Sequence, residues 1–420
     1  MREILILVES NTTGTGREFA RRAGEMGAEP VLIAADPGRY GYVAADGVRC
    51  VVADTSDNAA LLAAARLLAA DSEVAGVTSS SDYFVLAAAV LARAWHRPGP
   101  SPDAVRDCQH KGTQRRQLAA AGLPGPRYAI AETEADALVS AQRMGFPVVV
   151  KPVQGSGSFG VRLCETGDEL AEHVRSLLAR TVNERNMKIA PGALVEEYID
   201  AQEFSVEIFH GSVAAIVRKH LGSLPYFVEI GHDIPSGLSA SDEARLGKFA
   251  MEAVSSLGLT WGAVHVEIRM RGGRIAIVEV NARLAGGMIP ELVRRYCGAD
   301  LVRLQVGAAL GRSAEVSRVA DIRAASIRFL VADQDATLRE PGHAIAKVRS
   351  LPGVADATVY KAANEYMTPP VDFRGRIGHV MTISNDAATA CRAADKYATM
   401  LRDEILVPVP SRSAETYQEA

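Results

Sequence analysis

The sequence has no excess of basic residues, no paired cysteines and no long apolar run. Lys and Arg number 46 against 50 Asp and Glu, a formal net charge of −4 over 420 residues, which excludes the cationic surplus that a nucleic-acid-binding face requires. Cys50, Cys108, Cys164, Cys297 and Cys391 are scattered, odd in number and never in a CxxC pair. That excludes a disulfide framework and a zinc site and leaves reduced, mostly buried thiols. No stretch approaches the roughly 20 apolar residues that span a bilayer, and the apolar part of MREILILVES is too short for a signal peptide. Internal repeats and low-complexity tracts are also missing. The expected protein is cytoplasmic, works without nucleic acid or membrane, and takes small molecules as partners, with a homodimer left open.

What is present is an ordinary apolar content, 48%, in a chain long enough for two or three packed units. The first hundred residues alternate apolar runs (EILILV, PVLIAA, VAGVTSS) with helical patterns, which predicts a parallel sheet flanked by helices and ligands near the carboxyl ends of its strands. RPGPSP at 97–102 breaks that pattern. A helix at about 103–121 follows, then alternating elements, then a strand-rich region (ALVEEYI, EFSVEIF, SVAAIVRKH, YFVEIGHD, WGAVHVEIRM, RIAIVEVNA) whose apolar–polar alternation predicts a large antiparallel sheet. ASIRFLVA, TVYKAA and GHVMTIS add strands, a helix runs from Ala388 to Ile405, and the polar tail PVPSRSAETYQEA is expected to fray.

The first chemical signal is KPVQGSGSFGV at 151–161, after the apolar run FPVVV. Gly155, Gly157 and Gly160, interleaved with Ser156 and Ser158, can turn backbone N–H groups toward one anion, with Lys151 at the end of the preceding strand. VRLCE follows, so the loop is read as a connection between two strands rather than a P-loop running into a helix. The second signal is VHVEIRMRGGRIAIVEVNAR at 264–283. Glu279 and Asn281 share one face of a strand, and Glu267 on the preceding strand offers a third oxygen for Mg²⁺, a cation bound by a few protein oxygens and water. A two-residue turn at Gly272-Gly273 would put Glu267 and Glu279 on opposite faces, so an odd-length loop or a β-bulge is predicted. Ile275 and Ile277 are expected beside Glu279, while Arg269 and Arg271 read as solvated charges. SNTTGTG at 10–16 reads as a strand-to-helix turn lining the substrate cleft, and SSSD at 79–82 as helix capping.

EVNAR, the loop KPVQGSGSFG and the strand LVEEYI together resemble the ATP-grasp superfamily over roughly residues 103–312, and FVEIGHDIPSGL with NARLAGGMIPEL resembles its L-amino-acid ligase branch. The resemblance implies an α/β and α+β protein: a Rossmann-like front domain over 1–100, a central lobe with the glycine-rich lid over 101–195, a catalytic lobe with the metal site over 196–312, and a C-terminal subdomain over 313–420. It implies ATP and Mg²⁺ as cofactors, with Mn²⁺ able to substitute. Lys111 and Lys151 would reach the phosphates together with Gly155, Ser156, Gly157 and Ser158, although many members have Asp-Lys where this chain has His110-Lys111. Glu196, Glu197 and Ile199 would face the base and Glu203 the ribose. Glu267, Glu279 and Asn281 become the metal ligands. Arg283 would stabilise the oxyanion, Glu229 would meet a substrate amino group, and His232, Gly286, Gly287 and Met288 would wall the substrate pocket, with Gly287 leaving it roomier. The implied reaction joins an L-amino acid to an amine through an acylphosphate to make a dipeptide or related secondary metabolite. The alternative is a ligase or carboxylase of nucleotide or cofactor biosynthesis.

Overall fold

The computed structural model describes residues 2–12, 15–183, 185, 187–313, 316 and 323–410. The expected tail falls largely outside them, as do two residues of SNTTGTG. Among the described residues no helix is long and apolar enough to cross a membrane.

The front domain is a four-stranded parallel sheet in the order Arg49–Val52, Glu29–Ala34, Arg2–Val8, Ser72–Thr78. Ile4, Leu5, Ile6, Leu7 and Val8 are all buried, as a strand covered on both faces must be. Arg49–Val52, with two exposed positions in four residues, is the strand that apolar pattern did not reveal. The carboxyl ends of the adjacent strands Arg2–Val8 and Ser72–Thr78 bring Ser10 and Asn11 beside Ser80, which accepts the Asn11 N–H at 3.0 Å.

A second sheet of four antiparallel strands, in the order Tyr128–Ala131, Ala193–Glu197, Val148–Pro152, Arg162–Cys164, forms a small lobe. Its helices Glu134–Met144 and Gly167–Leu178 start at Thr133 and Thr166, whose side chains accept the backbone N–H of Asp136 and Glu169, each three residues on. Ala137, Ala141, Leu170 and Val174 from these helices cover Val148, Val150 and Val195. Strand alternation then sends Val149, Lys151 and Glu196 to the opposite face. The stretch ALVEEYI therefore belongs to this lobe, and the boundary expected at 195/196 falls inside its strand. The helix expected at about 103–121 is two, Pro102–Gln109 and Lys111–Ala120, broken at His110.

The third sheet has eight strands, in the order Arg274–Asn281, Ala263–Arg271, Gln202–Phe209, Ser212–Leu221, Glu229–Ile234, Ala324–Leu330, Gly378–Ser384, Val354–Val359. The C-terminal segment thus continues the catalytic lobe's own sheet. Helix Ala240–Ser256 covers one face, with Leu246, Ala250 and Ala253 against Val206, Val266 and Ile268. The other face is polar. Along Gln202–Phe209 the residues Glu203, Ser205 and Glu207 alternate onto it before Phe209 enters the core shared with the front domain. All five cysteines are free thiols, with Cys108, Cys164 and Cys297 buried, Cys391 half-buried and Cys50 exposed.

Candidate active site

The polar sheet face, the small lobe and the glycine-rich loop line one open cleft. Its shape depends on one irregularity. Gly272 and Gly273 both have positive φ, 55° and 86°, and make the two-residue turn that pairs Arg271 with Arg274. Five residues on, the register shifts: Ile268 opposes Ile277, but Glu267 opposes Glu279, leaving Val278 as the extra residue of a β-bulge. The predicted bulge is present, and Glu267, Glu279 and Asn281 share the cleft face. The same shift corrects the expected surroundings of Glu279 in part: Ile275, opposite Met270, turns into the core, while Ile277, opposite Ile268, packs on the core and also borders the cleft.

Arg274–Asn281 is an edge strand, and side chains rather than a further strand satisfy it. Gln114 accepts the Val280 N–H at 2.9 Å and donates to the Val280 carbonyl at 2.8 Å. Arg115 donates to the carbonyls of Ile277 and Val278 at 3.0 and 2.6 Å. The remaining Arg115 nitrogen meets Glu196 at 2.5 Å, and the other oxygen of Glu196 meets Lys151 at 2.7 Å. The Glu196 carboxylate, expected at the base, is committed to these two cations. Burial opposes its charge, yet Arg115 and Lys151 hold its pKa down at about 2. Lys151 itself is shifted down, because burial and Arg115 outweigh Glu196.

Lys111 reaches the same region, 3.0 Å from Glu279 and 2.6 Å from the carbonyl of Gly155. His110 is the N-cap before it: its Nδ1 accepts the Thr113 N–H at 3.2 Å. Burial lowers the His110 pKa, in keeping with the neutral imidazole such a cap requires. A carboxylate at this position could make the same bond, so the departure from Asp-Lys preserves the local geometry. The glycine-rich loop joins antiparallel strands, as read from the sequence. Ser158, at φ 62°, donates from Oγ to the Phe227 carbonyl at 2.8 Å.

A second charge centre lies deeper on the sheet. Lys219 Nζ is 2.7 Å from Glu203, 2.5 Å from Glu229 and 2.8 Å from Glu267. Burial would lower this ammonium's pKa, but the three carboxylates raise it well above its usual value. His265 bridges Glu207 at 2.8 Å and Glu267 at 3.1 Å. Arg269, expected to be solvated, is buried in the cleft with its Nε 3.0 Å from Glu203, and it donates to the Ile199 carbonyl at 2.8 Å. Arg271 is exposed, as expected.

Arg283 lies between the centres. Its Nε is 3.1 Å from Asp82 of the front domain and its Nη2 donates to Ser156 of the loop at 3.1 Å. SSSD is therefore not a helix cap: Ser81 makes no side-chain cap bond, and Asp82 holds Arg283. Beside Glu229, His232 is fully buried with neither ring nitrogen hydrogen-bonded, and burial drives its pKa down to about 3. Gly287 (φ 57°) packs so closely that a Cβ there would lie 2.6 Å from His232 Nε2. Gly286 and Met288 adjoin it at the start of helix Ile289–Cys297, away from the cleft lining.

The structure thus gathers Lys151, Ser156, Gly157, Ser158, Glu196, Glu197, Ile199, Glu203, Glu229, Glu267, Glu279, Asn281 and Arg283 around one cleft. Asp82, Arg115, Lys219 and Arg269 were missed, as was Arg376, which donates to the Glu229 carboxylate at 2.8 Å. Only Asp82 carried a usable signal, since it follows a strand at the carboxyl end of a parallel sheet. Among the described residues no three His, Cys, Asp or Glu side chains converge as a metal site. Two opposed carboxylates and the Asn281 amide nevertheless form an oxygen-only donor set of the kind Mg²⁺ takes.

Comparison with known proteins agrees with this geometry. Residues 144–291 match an ATP-grasp domain and residues 328–405 match the L-amino acid ligase C-terminal domain 2. A Sinorhizobium fredii protein, y4rH, is 34% identical over 390 residues, 93% of this chain and 80% of that protein. The chain belongs to the ATP-grasp superfamily, among its ATP-dependent carboxylate–amine ligases. Mouse carnosine synthase 1 is 28% identical to the ligase over 269 residues, and the match spans 60% of this chain but only 32% of that protein. The L-amino acid ligase of Bacillus licheniformis shares the ligase's fold with a TM-score of 0.79 at 22% identity, over 97% of this chain and 99% of that one.

Proposed function

We propose that the ligase joins an L-amino acid to a second amino acid or amino-acid-like amine, releasing ADP and phosphate through an acylphosphate. The observation that carries this reading is the division of charge within one cleft. At one end Lys151 and Arg115 share a single carboxylate, a surplus of cations suited to phosphate. At the other, Glu203, Glu229 and Glu267 converge on Lys219 and line the cleft, carboxylates suited to a substrate ammonium and a metal.

Lys111, Lys151 and the loop N–H groups of residues 155–158 bind the phosphates, while the backbone near Glu197 and Ile199 faces the base and Glu203 the ribose. Glu267, Glu279 and Asn281 would hold Mg²⁺, or Mn²⁺ in its place, which neutralises charge on the transferring phosphoryl group. A substrate carboxylate oxygen attacks the γ-phosphorus in line and the bond to ADP breaks. The amine nitrogen then attacks the acyl carbon, the carbon–oxygen bond to phosphate breaks, and the nitrogen gives up a proton. Arg283, pre-positioned by Asp82, faces the oxyanion of the tetrahedral intermediate. Glu229 orients the substrate amino group, and Gly287 packed on His232 backs it from behind the cleft lining.

The test is phosphate release from ATP and Mg²⁺ across a panel of amino-acid pairs, with amide product followed by mass spectrometry. Release that needs an accepted pair and matches amide formation is expected. Release indifferent to amino acids would sink the reading in favour of a ligase or carboxylase of nucleotide or cofactor biosynthesis.

A further inference from the structure

One segment of the C-terminal region touches both halves of the cleft. Asp372 is buried and accepts from the Arg374 backbone N–H at 2.9 Å and from its guanidinium at 2.9 and 2.6 Å, which folds residues 372–376 into a rigid turn. From that turn Phe373 donates its N–H to the Gly157 carbonyl at 3.4 Å and lays its ring against Gly157. The contact is close enough that a Cβ at Gly157 would lie 2.4 Å from the ring, and Gly157 sits at φ 67°, so glycine is required twice over. The Arg374 guanidinium stacks 4.7 Å from the centre of the Phe159 ring, whose other partner is Arg180 of the small lobe at 4.5 Å. Two residues on, Arg376 donates to the Glu229 carboxylate at 2.8 Å and to its carbonyl at 2.9 Å, and it lies 4.1 Å over the ring of Phe329.

We propose that residues 372–376 are a clamp coupling the glycine-rich loop to the amino-acid pocket: Phe373 and Arg374 hold the loop over the phosphates, and Arg376 positions Glu229. The proposal rests on the functional reading above. Its physical content is that five residues in a turn fixed by Asp372 leave little freedom for the loop to lift while Glu229 stays in place. The loop's other ties, Ser158 to the Phe227 carbonyl, Ser156 to Arg283 and the Gly155 carbonyl to Lys111, do not run to Glu229. A lifted loop would admit water to the acylphosphate. Water would then attack the acyl carbon in place of the amine, the carbon–oxygen bond to phosphate would break, and the carboxylic acid and phosphate would be released without amide. These are positioning residues, so their signature is coupling rather than rate alone.

The experiment compares the full-length ligase with Phe373→Ala, measuring phosphate released per amide formed and amide hydrogen exchange of residues 155–160 without nucleotide. The clamp predicts a ratio near one for the parent and well above one for the variant. It also predicts roughly tenfold faster exchange confined to the loop, because a local opening has been made easier. Arg374→Gln, which leaves the core untouched, should show the same two changes more weakly and serves if the first variant does not fold. An unchanged ratio or unchanged loop exchange overturns the clamp. If the parent releases no phosphate in response to amino acids, it is the functional reading that fails, and the exchange measurement still decides the clamp.

Discussion

Lys151 and Lys219 are both fully enclosed, yet their surroundings are opposite in sign. Lys151 meets one carboxylate that it shares with Arg115, and its pKa falls; Lys219 meets three carboxylates, and its pKa rises. Burial acts alike on both, so the difference comes from the count of partners. A buried lysine with too few carboxylates leaves a net positive site awaiting an anion. One that meets three is itself the shared counter-ion, and lets carboxylates gather at one place in the cleft.

Removing each lysine should therefore fail in a different way. Lys219→Met removes the cation that three buried carboxylates share and is expected to cost about 3–5 kcal/mol of stability, as breaking a buried pair typically does; chemical denaturation measures it. A loss under about 1 kcal/mol would mean that the cluster readjusts and Lys219 is not its keystone. Lys151→Met should leave stability closer to normal, because Arg115 still neutralises Glu196, while lowering turnover by on the order of 10²–10³. Equal stability losses in the two variants would erase the contrast.

The smallest effect concerns pH. Burial disfavours the His265 imidazolium, but Glu207 and Glu267 prevail and raise its pKa from 6.5 to about 9. A raised folded-state pKa gives stability that is complete below pH 6.5 and lost as pH climbs through 9. We expect unfolding stability to fall by about 1–3 kcal/mol over that window and His265→Gln to flatten the slope. A slope unchanged in the variant would assign the pH dependence elsewhere.

The two lysines also mark what a sequence can disclose. Lys151 stands at the end of an apolar strand before a run of glycines, a local pattern with a physical meaning. Lys219 sits in VRKHL among other basic residues and looks like part of a wet strand face. Its meaning comes only from pairing with strands that bring Glu203, Glu229 and Glu267 to it, and pairing is non-local. Arg269 was misjudged for the same reason. The bulge was legible because two carboxylates had to share a face across a two-residue turn, whereas the placing of Ile275 failed because the position of the extra residue was not. The parallel front sheet and the large antiparallel sheet were readable from periodicity. That the sheet runs on into the last hundred residues was not, since strand alternation does not say which neighbour a strand will choose.

The β-bulge at Val278 has a consequence for how this chain can vary. The carbonyls of Ile277 and Val278 face away from the sheet, and Arg115 takes both before passing through Glu196 to Lys151. The turn of strand that aims Glu279 and Asn281 is thus bolted to the lysine beneath the glycine-rich loop. A change at Arg115 would be felt at once in two stretches of sequence 162 positions apart. Drift in one must be answered in the other, so the helix at 111–120 and the strand at 274–281 are best transplanted, recombined or redesigned as a single cassette.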